Sequence, residues 1–300
     1  MEKPLFTVVV PATTANLGPG YDSVGMALSL YMTVQVQEAA EWNVHYDGEE
    51  YEGLATDDTN LIVRTIQDVA GRHGKEIQSH ALYVTSDIPL GKGLGSSATA
   101  IAAGIEIANE LLDLSLTSKE KVRIGSEIEG HSDNVAAALL GGVTVAYFVE
   151  DELEVIQLPQ PVIGVIILVP PNALKTSESR GLLPDKLLHS IASAGNAASN
   201  VMLTAIALGN WQLAGKMMEK DVFHEQYRKP MLQDFDQVRA FCHKLGAYGM
   251  TISGAGPSLF IAVKEGLQEE IAEKLEKEFP YYRAIAVTPA PIGSTIQKDA

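Results

Sequence analysis

Pro89-Leu90-Gly91-Lys92-Gly93-Leu94-Gly95-Ser96-Ser97 is the stretch on which the reading of this chain turns. Glycines fall at alternate positions, and two serines and an alanine follow. Residues 81–85 before it read as a strand, and residues 98–112 after it read as a helix. Strand, glycine-rich turn and helix start, in that order, build an anion site. Glycines admit positive φ and let a ligand approach the backbone closely. The first N–H groups of the helix lack intrahelical partners, and its dipole favours negative charge there. Ser96 and Ser97 add hydroxyls for phosphate oxygens or a magnesium ion. The small residues Ala98, Ala100, Ala102, Ala103 and Gly104 let the helix pack tightly behind them. No Gly-Lys-Ser/Thr closes the loop, so it is not a Walker loop. The glycine spacing also differs from the dinucleotide fingerprint.

Two further polar, glycine-rich segments lie outward from this centre. Upstream is Pro11-Ala12-Thr13-Thr14-Ala15-Asn16-Leu17-Gly18-Pro19-Gly20-Tyr21-Asp22, after a buried strand over residues 6–10. Downstream is Thr251-Ile252-Ser253-Gly254-Ala255-Gly256-Pro257-Ser258, inside a strand–turn–strand over residues 248–263. Each alone reads equally well as a structural turn.

Around them, residues 30–37 alternate as a strand, with residues 42–46 as a candidate partner. Asp57-Asp58-Thr59-Asn60 starts a helix that should stop near Gly71 or Gly74. Ser118 reads as a cap before a helix to Glu129, and Asp133 or Asn134 starts a short helix ended by Gly141-Gly142. A strand over 143–149 is followed by an acidic, proline-bearing stretch, so a domain boundary is expected near residue 155, giving units 1–155 and 156–300. The second unit reads as a strand over 162–169, helices over 187–208, 211–218, 231–245 and 267–279, and a strand over 283–287. Mixed strands and helices in both halves give an α+β class.

Composition narrows the function. The chain has 300 residues with 22 basic against 38 acidic, a net charge of −16. Such a surface repels nucleic-acid backbones and anionic membranes, so neither is an expected partner. No apolar run approaches the roughly 20 residues that span a bilayer. The N-terminal residues show no signal-peptide pattern, and the single cysteine, Cys242, can form neither an intrachain disulfide nor a zinc cluster. A soluble cytoplasmic protein in a reducing compartment is expected.

Taken together and in order, the three glycine-rich segments resemble the GHMP kinases, and the resemblance runs over residues 11–260. It implies an N-terminal nucleotide-binding domain like the second domain of ribosomal protein S5, a ferredoxin-like C-terminal domain and a site between them. It also implies transfer of the terminal phosphate of ATP, with Mg²⁺, to the hydroxyl of a small molecule. Glu129-Gly130-His131-Ser132-Asp133-Asn134, Thr176-Ser177-Glu178-Ser179-Arg180 and Tyr227-Arg228-Lys229-Pro230 look like the branch that phosphorylates L-homoserine in threonine biosynthesis. Ser132 departs from it, since proline is common there in bacterial members. Sister kinases acting on mevalonate, phosphomevalonate or threonine remain the alternative.

The resemblance assigns roles residue by residue. Pro89, Gly91, Lys92, Gly93, Leu94, Gly95, Ser96, Ser97 and Thr176 fall on the phosphates, and Asn60 falls near the adenine. Glu129 with Ser97 would hold magnesium, with Glu127 as competitor. Arg180 and Arg228 suit a carboxylate, and Asp22, with His131 beside it, suits an ammonium. Asn16, Asn134 and Asp133 would surround the attacking hydroxyl. Asparagine cannot act as a base, so either the reaction runs without a strong base or Asp133 serves. His224 and His243 read as structural, on apolar helical stretches. Family likeness suggests a homodimer.

Overall fold

The structure is a computed structural model that describes residues 3–48, 51–150, 152–174 and 176–298. Strands β1 (Phe6–Ala15) and β2 (Val24–Glu38) pair antiparallel along their length, with a register shift between Pro11 and Ala12. The strand expected over residues 6–10 thus continues through the first part of the polar segment. Ala12, Thr13, Thr14 and Ala15 are small enough to be buried there against β2. The short β3 (Asn43–Tyr46) does not pair with β2, as its position in the sequence suggested. Helix α1 (Leu61–Arg72) leads to β4 (His80–Ser86), which occupies that edge of β2 and takes β3 as a parallel neighbour. The glycine loop follows β4 and opens α2 (Ser96–Leu111). Helix α3 (Ser118–Glu129) starts one residue earlier than expected. Thr117, not Ser118, is its N-cap, in a reciprocal capping box with Glu120. Helix α4 (Asp133–Leu140) ends at Gly141, and β5 (Val143–Val149) pairs with β2. The acidic stretch read as a linker carries a strand, β6 (Glu152–Gln157), paired with β5.

The second sheet begins with β7 (Gly164–Val169), every residue of which is buried. Its two faces serve two cores. Val165, Ile167 and Val169 join the core under the first sheet, while Ile166 and Leu168 join a separate core. That explains why the strand reads as an unbroken apolar run. There follow α5 (Thr176–Arg180), α6 (His189–Ala207), α7 (Trp211–Met218), α8 (Glu225–Arg228) and a 3₁₀ turn over residues 229–231. Then come α9 (Phe235–Lys244), β8 (Gly249–Ile252), β9 (Leu259–Val263), α10 (Gln268–Glu278) and β10 (Arg283–Val287). The sheet order β10-β7-β9-β8, all antiparallel, is that of a ferredoxin-like unit. The last strand, β11 (Thr295–Gln297), had no signal in the sequence reading. It returns to pair with β1 in the first sheet. Together these form a two-layered α+β architecture. Among the described residues no helix is long and apolar enough to cross a membrane.

Candidate active site

The glycine loop takes the conformation its sequence demands. Gly91, Gly93 and Gly95 have φ of 68°, 75° and 70°, a region closed to most side chains. Space forbids a side chain as well. A Cβ on Gly93 would strike the carbonyl of Ser253, and one on Gly95 would strike Thr13 Oγ1. The loop is therefore clasped between the first and third motifs. Thr13 N–H donates to the Leu94 carbonyl at 3.1 Å, and Ser253 Oγ donates to the Gly93 carbonyl at 2.7 Å. Gly95 caps α2 without a side-chain hydrogen bond, leaving the first N–H groups of that helix facing the loop.

A cavity of about 680 Å³ opens beside this loop. At one end lie Met32, Tyr46, Tyr51, Leu54, Val84, Ile88 and Leu90, an apolar slot fit for a flat ring. Tyr46 and Tyr51 stack there with centroids 5.3 Å apart. Asn60 borders the slot as the α1 cap. Its Oδ1 accepts from Ile62 N–H at 2.9 Å, and its Nδ2 donates to Tyr46 Oη at 2.8 Å and to the Ala55 carbonyl at 2.6 Å. Burial pushes the Tyr46 phenol up, against the Asn60 hydrogen bond.

Ser97 and Glu129 meet at the middle of the cavity, where Ser97 Oγ donates to Glu129 Oε2 at 2.8 Å. Glu127 instead pairs with Arg72, away from the cavity. Lys92 lines the wall, but its ammonium donates to the Pro170 and Pro171 carbonyls at 3.0 and 2.6 Å. The side chain of Thr176 lies outside the described residues. Pro89 is not a wall residue. Its carbonyl lies 3.5 Å from Ser96 Oγ.

The other end is charged. Asn16, Leu17 and Asp22 hold positive φ, which asparagine and aspartate tolerate but leucine rarely adopts, a sign of a segment held by its surroundings. Asn16 Oδ1 accepts from Asp22 N–H at 3.0 Å, and Asn16 Nδ2 donates to the Gly254 carbonyl at 3.1 Å. This places the first loop against the third. Arg180 forks onto both oxygens of Asp22, at 2.7 and 3.1 Å. Asp133 Oδ1 lies 2.6 Å from His131 Nδ1 and accepts from the Asn134 N–H at 2.7 Å and from Asn134 Nδ2 at 3.3 Å. Asn134 Oδ1 accepts from Thr13 Oγ1 at 2.8 Å. Burial would lower the His131 pKa, but the hydrogen bond and charge of Asp133, aided by Glu129, outweigh it and raise it above the ordinary imidazole value. Buried Arg228 donates through Nη1 to the Gly254 carbonyl at 3.1 Å. The Tyr21 ring lies 5.8 Å from the Arg180 guanidinium carbon and 5.7 Å from that of Arg228.

The sequence reading named most of these wall residues. Thr13, Tyr21 and Tyr46 had been quoted only as parts of a loop or strand, and Tyr51 had not been singled out. His224 is not on an apolar helical stretch: it is the fully buried N-cap of α8. His243 is half-exposed on α9 and pairs with Glu219 at 3.0 Å. Cys242 is buried in the second core, which pushes its thiol up to about 12.

The family described as GHMP kinases N terminal domain matches residues 60–142, and GHMP kinases C terminal matches residues 202–280. A homoserine kinase of Bacillus cereus (strain G9842) is 46% identical over 274 residues, which cover 91% of this chain and 90% of that protein. A homoserine kinase of Bacillus velezensis is 39% identical over 295 residues, covering 98% of this chain and 96% of that protein. The crystal structure of homoserine kinase from Cytophaga hutchinsonii superimposes with a TM-score of 0.86 at 27% identity, covering 99% of this chain and 98% of that one.

Proposed function

We infer that this chain, which belongs to the GHMP kinase family, transfers the γ-phosphate of ATP to the side-chain hydroxyl of L-homoserine, giving O-phospho-L-homoserine and ADP. The observation that carries the reading is one cavity with two chemistries. A helix-start glycine loop built for phosphates opens directly into a pocket bearing two arginines and a carboxylate. The homoserine kinases of Bacillus cereus and Bacillus velezensis, matched over nine-tenths or more of this chain, support the same acceptor.

Homoserine is a zwitterion, and the charged end of the cavity has its complement. Arg180 and Asp22 satisfy each other. A half-exposed pair of this kind contributes little and opens at small cost. The substrate carboxylate then takes Arg180 and Arg228, and the ammonium takes Asp22, with His131 beside it. This leaves the hydroxyl at the centre, near Asn16 and Asn134, facing the glycine loop. The adenine occupies the tyrosine slot beside Asn60, and Gly91, Gly93, Gly95 and Ser96 present backbone N–H groups to the phosphates.

A divalent cation fits between loop and carboxylate, because Ser97 Oγ and Glu129 Oε2 are adjacent hard oxygen donors. When bound, Mg²⁺ neutralises charge on the β- and γ-phosphate oxygens. The homoserine oxygen forms its bond to the γ-phosphorus as the bond to the β,γ-bridging oxygen breaks, and the hydroxyl proton passes to the phosphate or to solvent. Asp133 Oδ1 is already occupied by His131 and Asn134, which supports a route without a strong base. Alignment and charge neutralisation then supply the rate.

Within the same reading the nucleotide-binding unit comprises residues 1–155 and the ferredoxin-like unit 156–300, save that β6 runs on to Gln157 and β11 returns to the first sheet. The enzyme works as a cytoplasmic homodimer in threonine biosynthesis. The test is ADP release from Mg-ATP with L-homoserine, L-threonine, mevalonate and phosphomevalonate in parallel. A response to L-homoserine above the others is expected. A response to mevalonate instead would keep the phosphotransfer and overturn the zwitterion pocket.

A further inference from the structure

Arg228 is only 3% exposed, and a guanidinium that deep needs fixed partners to hold a direction. Both known partners are reached by one nitrogen. Nη1 donates to the Gly254 carbonyl and to His224 Nδ1, each at 3.1 Å, while Nε has no partner among the described residues. His224 has no place in the phosphotransfer described above, yet its side chain is fully buried.

The tautomer of His224 follows from chemistry. Arginine has no acceptor, so Nδ1 must accept, and the ring proton must sit on Nε2. There it donates to the Gly18 carbonyl at 3.1 Å. Gly18 lies in the first loop, between Asn16 and Asp22. Asp221 holds the ring's own backbone, accepting from the N–H groups of Phe223, His224 and Glu225 at 2.8, 3.0 and 2.5 Å. Burial, reinforced by the Arg228 charge, depresses the imidazole pKa, against the pull of Asp221 and Asp22. The geometry therefore calls for a neutral ring that spans two loops through one arginine.

We propose that His224 is a positioning residue of the acceptor pocket, aiming the Arg228 guanidinium at the substrate carboxylate and tying that aim to the first loop. The proposal rests on the reading of Arg228 as a carboxylate ligand. Without an acceptor at the Nδ1 position, one Nη1 hydrogen loses its buried partner and the guanidinium turns away from its aim. Nothing at the nucleotide end depends on it.

The test is steady-state kinetics on the full-length enzyme with H224Q, H224N and R228M. Gln places its amide at the Nε2 position and keeps the Gly18 contact, while Asn keeps an acceptor at the Nδ1 position. We expect H224Q to raise the homoserine KM about 30-fold, the equivalent of one charged hydrogen bond, with the ATP KM within about 3-fold. H224N should stay within about 5-fold of wild type, and H224Q should add less than about 2-fold in the R228M background. Equal damage from Asn and Gln, or full additivity with R228M, would overturn the positioning role and leave the carboxylate reading intact. An unchanged homoserine KM in R228M would overturn the carboxylate reading, and this inference with it. Should H224Q fail to fold, ¹⁵N spectra of the wild-type ring at neutral pH decide. A neutral Nε2–H tautomer supports the proposal, and an Nδ1–H or protonated ring overturns it.

Discussion

Glu127 and Glu129 sit two residues apart on one helix, and elementary geometry turns them to different faces. Sequence alone left both open as metal ligands. Glu129 reaches Ser97 across the cavity, while Glu127 is spent on Arg72. Glu129→Gln should lower kcat/KM for Mg-ATP about 100-fold or more, whereas Glu127→Gln should change it by less than about 3-fold. Equal losses in the ADP-release assay would reverse the assignment. Asp133 poses the question of the base. Its Oδ1 serves His131 and the start of α4, a structural task that asparagine can partly keep. Asp133→Asn should therefore cost well under about 10⁴-fold in kcat. A loss of that size with unchanged homoserine affinity would make Asp133 the base. Single residues of this kind were legible by type but not by direction. Arg180 and Asp22 are 158 positions apart, and no pattern in the sequence shows that they pair.

At the scale of elements, the glycine loop was the most readable feature, because its constraints are local. Alternate glycines between a strand and a helix leave little else for the backbone to do. What the sequence did not show is why Gly95 admits no replacement. Its φ of 70° is one reason, and Thr13 Oγ1 at the Cβ position is the other. The two separate experimentally. Gly53→Ala, at φ +92° with nothing within 4 Å, should cost only the backbone term of about 1–2 kcal/mol. Gly95→Ala should cost clearly more in urea melts and should raise the ATP KM, because displacing Thr13 disturbs the loop and Asn134 together. Equal destabilisation by both would show that the clasp between motifs carries no weight. Strand ends were less readable than helix starts. β1 runs on to Ala15 because the threonines and alanines of the first motif pair with Gly25–Leu28 partners that sequence proximity does not reveal.

At the scale of the molecule, the chain's end closes the fold on its beginning. After β10 the segment crosses back to the first sheet, and Ser294 binds two helices of that unit, α4 and α2. Its N–H donates to the Ala138 carbonyl at 2.8 Å, and its hydroxyl donates to Glu106 at 2.7 Å. Gly293 packs so closely on Leu139 that a Cβ would not fit. Removing residues 291–300 should lower Tm by about 5 °C or more, and should lower activity on heating in step, because α4 carries Asp133 and Asn134. An unchanged Tm would mean that the returning strand is ornamental to the first sheet. By itself the sequence determined the α+β class, the glycine loop between strand and helix, most helix spans and the residue types gathered at the cavity. All of these depend on neighbours within a few positions: turn conformation, apolar period and charge. Only the tertiary structure decided that β3 joins β4, that β11 returns to β1, that Glu129 rather than Glu127 faces the cavity, and that His224 reaches the Gly18 carbonyl of the first loop. Those outcomes depend on contacts between residues tens to hundreds of positions apart, made when two sheets bury their apolar faces together, and local preference carries no record of them.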